Sequence, residues 1–132
     1  MSDLFSSFAQ SASGMQAQAS RLRHVSENIA NADTPGYRRK TVEFRQAAEG
    51  WSANDRPGVE LGPVRLDRRD LPMIYDPGHA LADDTGHYLG SNVDLILEVA
   101  DAREAQRSYE ANLRMFDQAR QMSQGLLEIL RR

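Results

Sequence analysis

The residues of this chain best suited to chemistry are its histidines and a group of nearby carboxylates. His79 and His87 lie among Asp76, Asp83 and Asp84 in the stretch from Tyr75 to Tyr88; His24 stands alone. Imidazole and carboxylate together can hold a divalent metal. The spacing, however, gives neither a helical His-x-x-x-His pair nor the alternating Asp/Asn ligands and closing Glu of a calcium loop. Asp76-Pro77-Gly78 and Asp83-Asp84-Thr85-Gly86 are turn formers, since Asp bonds its own backbone and Gly accepts positive φ. Ordered turns are therefore expected there, with no metal and no cofactor. Cysteine is absent, which removes thiolate catalysis, disulfides and cysteine zinc sites. There is no Gly-x-Ser-x-Gly elbow and no phosphate loop, so no catalytic residue is expected and the chain does not read as an enzyme. Arg38, Arg39 and Lys40 beside Tyr37 are residue types that touch phosphate. Yet 16 basic residues against 19 acidic, a net charge of -3, speak against a nucleic-acid partner and for a solvated or interface role.

The elements that carry these residues are punctuated by proline and glycine. All five prolines and seven of the nine glycines fall between residues 33 and 91, and both types are excluded from helix interiors. The 132 residues thus read as a helix, a different middle, and a second helix. In the first, Phe8, Met15, Leu22 and Ile29 recur every seven residues, with Leu4 or Phe5, Ala12, Ala19 and Val25 or Ser26 between them. That is an a/d stripe. A helix over 3–31 would be about 43 Å long. Its other faces are mostly Ser, Ala, Gln and Asn, which permit close approach of neighbours. Pro35 and Gly36 mark its stop.

A second amphipathic helix is expected over 94–130, capped by Asp94 or Asn92, about 55 Å long. Its apolar positions include Val99, Tyr109, Leu113, Phe116 and Met122. The two helices are expected to pair antiparallel as a coiled coil, Phe8, Met15, Leu22 and Ile29 facing Val99, Tyr109, Leu113 and Phe116. The fold class is mainly α, with a mostly irregular middle containing short β elements. Residues 1–32 with 92–132 form one discontinuous helical domain; 33–91 form the inserted loop and β segment. Residues 59–66 fit two short strands and a turn, or one irregular extended segment; Leu71 to Tyr75 is another extended candidate. Phe44 and Trp51 are expected to anchor a small core or an interface. So narrow an apolar stripe leaves surface that needs further partners, which favours an assembly subunit over a self-contained enzyme. The Ser- and Gln-rich first helix, interrupted by Gly14, is expected to be largely unfolded in the free chain. No run of about 18 apolar residues suggests a membrane span, and no cleaved secretory signal is visible at the start.

The residues from Ser26 to Lys40, with Asn28, Ala30, Asn31, Thr34, Pro35, Gly36 and Tyr37 in fixed order, resemble the N-terminal signature of the bacterial flagellar axial proteins, the rod and hook family. Tyr75 to His79, Gly86-His87-Tyr88, Asn92-Val93-Asp94, Ala105 to Asn112 and Ala119 to Met122 are similar to the proximal-rod members. Family members often carry Pro where Ala80 and Ser91 stand. The sibling FlgB type fits less well in the middle and at the C-terminus; a non-flagellar coiled-coil adaptor is the other alternative. The resemblance implies a structural subunit of the periplasmic rod, which transmits torque. It also implies export through the flagellar type III apparatus without a cleaved signal peptide. The partners it implies are copies of the chain itself, the FlgB, FlgF and FlgG types, the rod-base adaptor FliE and the membrane ring, with no nucleic acid and no direct membrane insertion. Assembly contacts are expected at Asn28, Asn31, Thr34, Pro35, Gly36, Tyr37, Asn112 and Met122, and along the apolar stripes.

Overall fold

The computed structural model describes residues 2–46 and 58–132. Helix α1 runs Ser2–Ala30 and helix α2 Leu95–Arg131. Each bound lies within one residue of the spacing-based expectation. Asp94 caps α2, its carboxylate accepting from the Ile96 and Leu97 amides at 3.0 and 3.4 Å. Asn92, the other capping candidate, is used elsewhere. No described helix is long and apolar enough to cross a membrane.

The middle is more regular than expected. Strand β1 (Lys40–Gln46) pairs antiparallel with β2 (Val59–Leu66), and β3 (Met73–Tyr75) with β4 (His87–Leu89). Residues 59–66 form one strand, not two and a turn. Its Gly62-Pro63 step lies in a bulge: the register jumps between Val42 opposite Val64 and Phe44 opposite Leu61. A bulge tolerates Pro63, which has no amide to give the ladder. Trp51 lies outside the described residues.

The helices lie antiparallel. Phe8 meets Phe116, Gly14 meets Asn112 and Asn28 meets Glu98, so contacts climb one helix as they descend the other. The buried residues of α1 are Ser11, Gly14, Ala17, His24, Val25 and Asn28; those of α2 are Glu98, Ala105 and Ala119. This seam corrects the expected facing. Phe8 and Phe116 do meet, edge to face, with ring centroids 5.0 Å apart. Met15, Leu22 and Tyr109 are only half-buried, while Ile29, Val99 and Leu113 stay 38%, 44% and 41% exposed. Small side chains let two helix axes come closest. The faces carrying Gly14, Ala17, Ala105 and Ala119 therefore turn inward, and the larger apolar residues are displaced to the flanks.

Candidate assembly interface

At the root of the helix pair, where the chain leaves α1 and enters α2, a polar cluster replaces an apolar core. Glu98 and Asn28 are its two fully enclosed side chains. The Arg39 guanidinium binds Glu98 through Nε and Asp101 through Nη2, the latter at 2.8 Å. Asn28 donates to Glu98 at 3.3 Å and to the Lys40 carbonyl at 2.9 Å. Its own amide oxygen accepts from the Lys40 amide at 2.9 Å and from the Tyr37 hydroxyl at 3.0 Å. One Asn thus satisfies both backbone groups of Lys40, as a neighbouring strand would. Arg21 reaches Asp101 at 3.2 Å and Glu104 at 3.3 Å. Asn92 accepts from the Arg39 amide at 2.6 Å and donates to the Asp67 carbonyl at 3.1 Å. Every buried charge here has an opposite partner, as a low-dielectric interior demands.

Charge and burial set the titration of the groups around this cluster. Lys40 bonds Glu27 at 3.0 Å. That contact holds the Glu27 carboxyl below its ordinary range and the Lys40 ammonium above its own. Burial pushes the Tyr37 phenol up, because the phenolate would lose its hydration.

The turn after α1 is built from the motif residues. Asn31 donates to the Glu27 carbonyl at 2.9 Å and accepts from the Thr34 hydroxyl at 3.1 Å. Gly36 takes φ +75, and its amide reaches the Leu89 and Gly90 carbonyls at 3.1 and 3.2 Å. A glycine adopts that left-handed backbone without steric cost. Pro35 is half-buried and Thr34 exposed. The chain is then tied back by Ser91, whose hydroxyl donates to the Ala32 carbonyl.

Arg38, Arg39 and Lys40 are committed inside the chain: Arg38 to the Asp67 and Arg69 carbonyls, Arg39 to Glu98 and Asp101, Lys40 to Glu27. For Arg39 this corrects the expected solvated or interface role. Sequence reasoning gave Arg39 and Asn92 other roles and did not bring them together with Glu98 and Asp101. One signal was available: Glu98 lies one heptad before Ala105 and two before Asn112 on the buried face of α2, and a carboxylate in such a line requires a cationic partner.

His79 and His87 serve the turns. His79 stacks on Tyr88 with ring centroids 4.0 Å apart, and its Nδ1 accepts from the Leu81 amide at 3.1 Å. Asp83 accepts from the Thr85 amide and hydroxyl and from the His87 amide, at 2.9, 2.6 and 3.0 Å. Those bonds hold its carboxyl below the ordinary range, the Thr85 hydroxyl foremost. Among the described residues no three His, Asp or Glu side chains gather as metal ligands.

Large apolar side chains remain outside. They include Leu95, Ile96, Leu97 and Val99 at the start of α2, Met115, Met122, Leu126, Leu127, Ile129 and Leu130 toward its end, and Leu61, Val64 and Leu66 on β2. Between the N-terminal part of α1 and the C-terminal part of α2, a groove of about 480 Å³ is lined by Leu4, Ser7, Ser11, Met115, Ala119 and Met122, among others. Asn112 borders it, bonded to the Ser108 carbonyl at 2.9 Å. Apolar surface of this extent marks a protein that buries it elsewhere.

Similarity to known proteins runs along the same elements. A family described as flagella basal body rod protein matches residues 10–38, which hold most of α1 and the turn. A second, described as flagellar basal body rod FlgEFG protein C-terminal, matches residues 85–129, covering β4 and nearly all of α2. The flagellar basal-body rod protein FlgC of Agrobacterium fabrum is 44% identical over 126 residues, spanning 90% of this chain and 89% of that protein. FlgC of Bacillus subtilis is 32% identical over 95% of this chain and 97% of its own length. FlgC of Salmonella typhimurium is 32% identical over 90% and 92%. With the paired terminal helices, the Asn28 to Tyr37 turn and these full-length relatives together, the chain belongs to the FlgC-type flagellar basal-body rod proteins, structural subunits of the rod.

Proposed function

We propose that the chain polymerises through its two terminal helices within the proximal part of the rod, forming a coiled-coil layer of the shaft that transmits torque. The observation that carries this reading is the apolar surface left open on both helices: Phe5 of α1 is 66% exposed, and Ile96 and Leu130 of α2 81% and 78%. Burying such side chains contributes roughly 1.5–3 kcal/mol each, and a single chain leaves that unrealised. The heptad-like seam supports the coiled-coil pairing, since Glu98, Ala105, Asn112 and Ala119 recur every seven residues along α2. Residues 1–32 and 92–132 act as the assembling helical domain, and 33–91 as the segment inserted between them. The assembly residues are the flanking apolar positions Phe8, Met15, Leu22, Ile29, Val99, Tyr109, Leu113, Phe116 and Met122. The motif residues Asn28, Asn31, Thr34, Pro35, Gly36 and Tyr37, with Asn112, shape the pair that presents them.

In this reading the chain has no catalytic residue; torque passes through packed helices. Its partners are copies of itself, the FlgB, FlgF and FlgG types, FliE and the membrane ring. It reaches the periplasm unfolded through the flagellar type III apparatus, without a cleaved signal peptide. Ile96→Asp and Leu130→Asp test the reading. Both positions are exposed in the single chain, so the purified variants should keep helicity and melting point while losing rod incorporation and motility. Normal motility in both variants would overturn it.

A further inference from the structure

Apart from Asn112 seated against Gly14, the seam between α1 and α2 is smooth. Its buried residues are Ser11, Gly14, Ala17, Ala105 and Ala119, with His24, Val25, Asn28 and Glu98 toward the root. Small side chains make shallow knobs, and shallow knobs fix axial register weakly. A helix pair repeating every seven residues can slide by one heptad and meet a similar surface again. Something other than apolar packing must select one register.

We propose that Arg39 is the register pin of the helix pair. It is fixed to α1 because Asn28 grips both backbone groups of Lys40, the next residue. It is fixed to α2 because its guanidinium spans Glu98 and Asp101. Residues 39–40 are therefore a short strut between the helices at one axial position. One heptad along α2 from Glu98 stands Ala105, which offers Arg39 nothing. One heptad back along α1 from Asn28 stands Arg21, which cannot accept from an amide. A slipped pair would leave the fully enclosed Glu98 charged and alone. A buried ion pair adds little net stability, yet removing one partner is costly, so its main effect is to exclude alternatives. Arg39 acts here as a positioning residue. The inference rests on the reading of α1 and α2 as a heptad-paired assembling domain.

The chain has no cysteine, so spin labels can be placed at will. The test uses the full chain with Ser26→Cys and Arg103→Cys, both exposed near the root. It reads their separation by double electron–electron resonance, with Arg39 and Glu98 native or replaced together by Met and Leu. The native pair should give one narrow distance. The Arg39→Met, Glu98→Leu chain should keep its helicity and melting point while a second population appears, offset along the axis by about 10 Å, one heptad at 1.5 Å per residue. A single unshifted distance in a folded double variant overturns the pin. It would assign the register instead to the Gly14–Asn112 fit, the Phe8–Phe116 contact and the Gly36 and Ser91 backbone ties. Should the double variant not fold, Asn28→Leu, which leaves Arg39 and Glu98 paired, serves the same purpose. It should also broaden the distance, and an unchanged one again overturns the pin. Motility is read separately: its loss with an unshifted distance counts against the pin and leaves the assembly reading standing.

Discussion

Gly14 of α1 lies directly against Asn112 of α2: a methyl group built on Gly14 would sit 2.8 Å from the Asn112 Oδ1 and 2.9 Å from its Cγ. The whole amide fills the notch that the absent side chain leaves. Asn112 is held there by its bond to the Ser108 carbonyl.

That contact makes the two positions interdependent. Gly14→Ala gains helix propensity of about 1 kcal/mol, but in the native chain it must push the Asn112 amide off its bond. In an Asn112→Ala background the obstruction is gone. Gly14→Ala should therefore stabilise the Asn112→Ala chain by close to the full propensity gain and the native chain by less, or not at all. A double-mutant cycle on thermal unfolding reads the difference, expected at about 1 kcal/mol for residues in contact. Additive effects would mean the helices do not approach this closely.

Arg39 offers a larger effect from a single change. Arg39→Met leaves Glu98 enclosed without its cation, and breaking a buried pair from one side costs about 3–5 kcal/mol. Unfolding in urea should show the free energy of unfolding falling by that amount, with Arg38→Met far milder because its partners are two carbonyls near the surface. Equal losses from the two would argue that Glu98 is not enclosed by this root.

How much of this was legible in the sequence differs by element. The two helices were, because Pro and Gly cluster between 33 and 91 and the heptad spacing of Phe8, Met15, Leu22 and Ile29 is helical. The inward face was not. Hydrophobicity ranks Met15, Leu22 and Ile29 above Gly14 and Ala17, whereas close packing of two helices rewards the smaller set. The turn was legible through Pro35 and Gly36, and the backbone of Gly36 confirms its conformational reason. Strands β1 and β4 were not expected, since Lys40 to Gln46 lies next to a charged run and three-residue strands such as His87–Leu89 carry almost no periodic signal. The root cluster was hidden for another reason. Arg39 and Glu98 are 59 residues apart, and only the pairing of the helices brings them together.

Gly36 isolates a purely backbone cost. A Cβ there would meet nothing within 4 Å, yet φ is +75. Gly36→Ala should therefore destabilise by about 1–2 kcal/mol, the cost of left-handed backbone for an L-residue, without any packing loss. Gly125, in the interior of α2 with open space around it, should show the opposite sign, Gly125→Ala stabilising by up to about 1 kcal/mol. Thermal melts of the two variants side by side check both signs.

Acid and alkali should act on opposite sides of the Glu27–Lys40 contact. Glu27 is held low by Lys40, and Asp67 by Arg69. A depressed carboxyl contributes stability above its unfolded value and loses it as pH falls through the folded one. Lys40 is raised by Glu27 and Tyr37 by burial. Those contributions are complete below the unfolded values and lost as pH rises through the folded ones. Melting temperature should be flat near neutrality and fall at both ends. Lys40→Met should remove the Glu27 part of the acid limb, so its melting temperature should fall less steeply below about pH 4. An acid limb of unchanged slope in that variant would place the loss at other carboxylates.

The last expectation concerns order along α1 in the free chain. The root of the helix, from Arg21 to Asn28, is tied to α2 and β1 by Arg21, Asn28 and the Arg39 strut. The tip is held by less: Phe8 on Phe116, Ser11 in the seam, and the open groove beside Leu4 and Ser7. Fixing each residue costs roughly 1–2 kcal/mol of backbone entropy, and an isolated helix of this length has little intrinsic stability without a packed apolar face. Ser6 and Ser7 both bond back to the Asp3 carbonyl, a competition with the ladder that lowers helicity further. Amide exchange on the dilute subunit should therefore be graded: rapid over residues 3–13, slow over 21–30, with the tip becoming protected only on assembly. Such a gradient would confine to the outer half the disorder that the Ser- and Gln-rich composition suggests for the whole helix. Uniform strong protection from residue 3 onward would show instead that the single chain closes its own seam, and that neighbouring subunits meet a helix pair already formed.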